Sequence, residues 1–137
     1  MNLGVVSQSG WGKSHVTQEK SEKNLPDVDY AVIMDPKDEY RGLVKAGFAK
    51  WGVYGPKELD NSPEKWYQLI VQNKKLVLAK YDLPENAQSQ QVLRNIAIAC
   101  RMLFESQQNP PKIMLVVDEA HEFAPEGEKY PDPIKQL

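Results

Sequence analysis

The sequence has a single cysteine, Cys100, so no internal disulfide framework can hold the chain together. Cys100 lies in an apolar helical stretch with no base beside it in sequence, which points to a buried core thiol in a reducing compartment rather than to a nucleophile. No run approaches the roughly 18 apolar residues that a membrane-spanning helix needs, and the amino terminus lacks a basic region followed by a signal-type apolar segment. These absences predict a cytoplasmic protein without a membrane partner. An excess of one charge is missing as well: 17 basic and 19 acidic residues leave a formal net charge of -2, and the bases are scattered without a long run. A nucleic-acid footprint therefore cannot be read from charge. There is no internal repeat and no low-complexity segment. With 41% hydrophobic and 26% charged residues over 137 positions, the chain has an ordinary globular composition and the length for one core.

What is present is an alternation of short apolar runs with helical patterns. Leu3 to Val6 reads as a buried strand entering a Ser/Gly cluster, and Ser14 to Asn24 as a polar helix with Val16 as its one apolar anchor. Tyr30 to Met34 is a second buried strand, and Asp35-Pro36 stops it because the residue before proline disfavours helix. Trp51 to Tyr54, closed by Gly55-Pro56, predicts a short third strand. Ser62 followed by Pro63 is a helix start, which places a helix over about Pro63 to Gln72. Leu76 to Ala79 is another strand. Val92, Ile96, Ala99, Cys100 and Leu103 recur at helical spacing between Asn86 and Ser106, and Ile113 to Val117 is the most hydrophobic strand. Strands alternating with helices predict an α/β domain with a parallel sheet between helical layers.

Two of these strands run into residues with chemistry. Ser7-Gln8-Ser9-Gly10-Trp11-Gly12-Lys13-Ser14 fits the spacing of a phosphate-binding loop, with Ser7 where the first glycine usually stands. Wrapping a polyphosphate requires backbone N–H groups turned inward, which favours Gly10 and Gly12, and the following helix offers its positive end to the same anion. Ser9, Gly10, Trp11, Gly12, Lys13 and Ser14 are thus the candidate nucleotide-binding residues. Lys13 would reach the β- and γ-phosphates of ATP, and the Ser14 hydroxyl would ligate Mg²⁺. The bulky Trp11 is expected to point away from the phosphates. The competing reading is a Gly/Ser turn that happens to precede Lys-Ser.

Ile113 to Val117 delivers Asp118 and Glu119 to a strand end. In a parallel sheet that end lies on the same edge as the phosphate loop, where ligands bind in open α/β folds. Asp118 would hold Mg²⁺ and Glu119 would take a proton from the water attacking the γ-phosphate. Without the loop, the pair would read as two solvated acids. His121 is balanced between a γ-phosphate sensor and a loop histidine, and His15 reads as exposed. Asp35, Asp38 and Glu39 sit just past the second strand, where they border the site or a neighbouring subunit; Asp38 reads as a solvated loop acid.

GWGKS, then DPKDEYRGL, then MLVVDEAHEFAP, in that order, resemble the central ATPase domain of the HerA/FtsK group of ring-forming motors. The resemblance covers most of the chain. It implies a P-loop NTPase of the RecA-like, additional-strand type, with Lys13 and Ser14 in the Walker A positions and Asp118 and Glu119 in the Walker B positions. It further implies a homo-oligomeric, hexameric ring that spends ATP to move double-stranded DNA in DNA processing, segregation or viral genome packaging. Family members continue past the acidic strand to a polar sensor and an arginine that reaches the next subunit. This sequence ends at Leu137, so residues 1–137 read as a single partial domain, truncated after the Walker B strand. Two alternatives stand beside the translocase: a superfamily 2 DEAH-type helicase fragment, suggested by Asp118-Glu119-Ala120-His121, and a nucleotide-binding interaction module without turnover.

Overall fold

In the computed structural model, which describes residues 3–8 and 25–118, five strands form one sheet of order β1-β5-β2-β4-β3. The strands are β1 (Leu3–Gln8), β2 (Tyr30–Asp35), β3 (Lys50–Tyr54), β4 (Lys75–Lys80) and β5 (Ile113–Asp118). Every pairing is parallel. The helices are α1 (Arg41–Lys45), α2 (Pro63–Asn73) and α3 (Asn86–Glu105). The α/β architecture expected from the alternation is therefore the observed one. The polar helix expected over Ser14 to Asn24 lies outside the described residues.

The sheet is covered on both faces, which explains why its central strands are continuous apolar runs rather than alternating ones. On one face, Val32, Met34, Leu76, Leu78, Leu115 and Val117 meet Trp66 and Ile70 of α2 and Val92, Leu93, Ile96, Cys100 and Leu103 of α3. On the other, Ala31, Ile33, Val77, Met114 and Val116 pack with Leu25, Tyr40 and Leu43 of α1. Each fully buried leucine or isoleucine contributes ~1.5–3 kcal/mol over its exposed state. The Cys100 thiol is wholly buried in the first cluster, and that burial pushes its pKa up to about 12. A core thiol, as expected from its neighbours, is what the fold contains.

The two longer helices start where local chemistry dictates. Ser62 caps α2, its hydroxyl accepting from the Lys65 N–H at 3.2 Å, with Pro63 at the first helical position. Glu85 and Gln88 cap α3 reciprocally, each side chain accepting from the other's backbone N–H. No described helix is long and apolar enough to cross a membrane.

Candidate functional site at the carboxyl edge of the sheet

Because all pairings are parallel, the five strand ends emerge on one edge, and the register makes that edge flush. Gln8 pairs with Asp118, Met34 with Val117, Asp35 with Ala79, and Val53 also with Ala79. The last residues of β1 and β5 are therefore partners in adjacent strands, about 4.8 Å apart at the backbone. The chain leaves β1 into Ser9 beside the point where it leaves β5 into Glu119. The ends of β1 and β5 therefore lie side by side, while the segments that follow them lie outside the described residues. No strand separates β1 from β5 among the described residues.

Ser9, Gly10, Trp11, Gly12, Lys13 and Ser14, as well as Glu119 and His121, lie outside the described residues, as does His15. Asp118 is described as the final backbone position of β5. Ser14 and Asp118 are the residues the sequence offers to a metal; among the described side chains no group of three or more His, Cys, Asp or Glu forms a further cluster.

The acids after β2 separate into different roles. Asp35 is fully buried, and its carboxylate accepts the backbone N–H of Glu39 at 2.8 Å and of Tyr40 at 2.9 Å. Desolvation raises its pKa above the ordinary aspartate value, against the lowering effect of these two hydrogen bonds. Asp35 thus closes the turn that reverses the chain from β2 into α1, rather than facing solvent at the strand tip. The turn also needs Asp38 at a φ of 57°, in the left-handed region that aspartate tolerates better than most residues. Asp38 is solvated, as expected, and pairs with the Arg41 Nε at 2.9 Å. The Arg41 guanidinium in turn lies 4.5 Å from the ring centroid of Trp51, which is 42% exposed. This stack is not legible in sequence, since it joins residues from a loop, a helix and a strand.

The loops after β2 and β4 diverge, since α1 lies on one face of the sheet and α3 on the other. Among the described residues, two cavities lie away from the carboxyl ends of β1 and β5. One of about 470 Å³ sits between β3 and α2, and one of about 420 Å³ is lined by Asp29, Tyr30, Lys74 and Pro111 near the amino ends of β2 and β5. No protein-family model, no curated protein and no solved structure matches the chain significantly.

Proposed function

We propose that the chain binds ATP with Mg²⁺ at the carboxyl edge of β1 and β5 and hydrolyses it as a P-loop ATPase of HerA/FtsK type. The observation that carries the shared nucleotide site is the pairing of Gln8 with Asp118, which brings the entrance to the glycine-rich loop and the acidic strand end together, while the HerA/FtsK type rests on the resemblance alone. Lys13 lies five positions beyond Gln8, a reach of at most ~18 Å, so a shared ligand lies within the covalent span of both motifs. In this reading Ser9 to Gly12 offer backbone N–H groups to the phosphates and Lys13 neutralises their charge. Ser14 and Asp118 hold the magnesium ion, whose bound form supplies charge neutralisation on the phosphate oxygens. Glu119 takes the proton of the attacking water.

The test is ATP binding and turnover by the wild type, Lys13→Ala and Glu119→Gln, with and without duplex DNA. Lys13→Ala is expected to weaken nucleotide binding, and Glu119→Gln to keep binding while losing turnover by about 10²-fold or more. Hydrolysis unchanged in both variants defeats the assignment. Binding without turnover in the wild type identifies a nucleotide-binding module instead. Translocation of double-stranded DNA by a homo-oligomeric ring rests on the resemblance alone, and its test is DNA-stimulated turnover together with ATP-dependent assembly in sedimentation.

A further inference from the structure

The opposite end of the sheet holds a second feature. β3 is the terminal strand, and among the described residues nothing pairs with its outer side. The Tyr54 carbonyl accepts from the Tyr81 N–H, so Tyr54 turns its backbone groups toward the β4 side. In a parallel ladder alternate residues face alternate neighbours, which leaves the N–H and C=O groups of Trp51 and Val53 pointing outward. Beside this edge lies the cavity of about 470 Å³, between β3 and the α2 stripe of Trp66, Leu69 and Asn73.

Gly52 opens that cavity. Its missing side chain would meet Leu78 Cδ2 at 3.1 Å, so glycine here leaves the flanks of Leu76 and Leu78 as an apolar floor. Trp66, also in the lining, is 1% exposed, and its indole N–H has no acceptor among the described residues. Lys57 and Lys65 stand exposed at the rim with no ion pair among the described residues. The one acid in the lining, Glu58, is engaged by the Gly55 N–H at 2.9 Å.

From this geometry we infer that the β3 edge and the adjoining groove bind an extended segment of another polypeptide, which adds a strand to the sheet, seats an apolar side chain over Gly52 and sets an acidic side chain by Lys57 and Lys65. Main-chain bonds to Trp51 and Val53 supply affinity, while the pocket and the two lysines select sequence. The acidic flank follows from the charge of the rim.

The experiment pans an unbiased phage-displayed library of short linear peptides against the full chain. The selected peptides, synthesised free, are then titrated against wild type, Val53→Pro and a Lys57→Glu/Lys65→Glu double variant. Proline at Val53 removes an outward N–H without touching the β4 ladder. The expected result is enrichment of apolar residues next to acids, binding weakened about tenfold or more by Val53→Pro, and a similar loss in the double variant that shrinks with added salt. Urea midpoints accompany both variants. Should Val53→Pro fail to fold, the exposed lysine pair decides. No enrichment, or binding indifferent to both changes, overturns the inference. Self-association of the wild type through this edge, abolished by Val53→Pro in sedimentation, also overturns it, in favour of a second copy as occupant.

Discussion

Replacing Asp35 by alanine tests the account of the turn after β2. The carboxylate accepts two backbone N–H groups, one on the buried Tyr40 and one on the exposed Glu39. Truncation strands both donors. An unsatisfied buried donor costs about 1–3 kcal/mol, and the half-open Glu39 N–H, which water can reach, costs less. Against this stands relief of a desolvated charge, the cause of the raised Asp35 pKa. The net expected loss is about 2–3 kcal/mol, or roughly 10 °C in Tm for a chain of this size. Urea unfolding at neutral pH measures it as a lower midpoint at unchanged slope. The pH dependence supplies an independent check. A carboxyl whose folded pKa is raised holds its proton more tightly in the native state, so its contribution is fullest below the ordinary value of 3.8 and declines as pH rises through the folded pKa. Asp35→Asn keeps one acceptor and no titration. The stability gap between wild type and Asp35→Asn should therefore be widest in acid and narrow toward neutrality. A loss under about 0.5 kcal/mol in Asp35→Ala, or a gap that widens with pH, refutes the reasoning.

Three further outcomes follow from individual contacts. Cys100, wholly buried with a pKa pushed up to about 12, should resist thiol reagents at pH 8 and react at the rate of global unfolding; rapid labelling of the native protein would contradict its place in the core. A Cβ at Gly55 would lie 2.7 Å from the Tyr81 backbone carbonyl, so Gly55→Ala should destabilise by about 1–3 kcal/mol in urea, since backbone rather than a flexible side chain must yield. Ser62→Ala removes the cap on α2 and should lower stability by about 1 kcal/mol, with Ser62→Asp restoring it in the same assay.

The elements legible in the sequence are those whose cause is local. β2, β4 and β5 are apolar runs ended by turn residues, and the structure extends each by only a residue or two. α2 begins where Ser62-Pro63 places it, and α3 follows the spacing from Val92 to Leu103. α1 was not legible, because nothing within Arg41–Lys45 encodes it: the segment is five residues long, contains Gly42 and has no side-chain cap. It exists because Leu43 is buried against the sheet and Asp35 holds the Glu39 and Tyr40 N–H groups at its entrance, conditions that arise only after β2 has found its neighbours. For the same reason Asp35 read as an acid bordering a site. Composition cannot distinguish a strand-tip carboxylate facing a ligand from one folded back onto its own chain.

The candidate site divides along the same line. Its motifs are local in sequence, but the adjacency of the two strands that lead into them is a property of strand order. Only the parallel placement of β5 beside β1 makes Gln8 and Asp118 partners. A single antiparallel pairing there would have sent the loop and the acids to opposite edges with no change in either motif. The Gly52 groove shows the converse dependence. A glycine within a short apolar run marks a weak strand when read alone, and becomes an opening to Leu76 and Leu78 only because β3 closes the sheet with no strand beyond it among the described residues. The two proposals thus rest on different ends of the sheet: the polyphosphate reading on the adjacent ends of β1 and β5, and the polypeptide reading on the β3 edge, unpaired among the described residues. Since β5, β2 and β4 separate these ends, Val53→Pro should leave nucleotide binding unchanged, and Lys13→Ala should leave peptide binding unchanged.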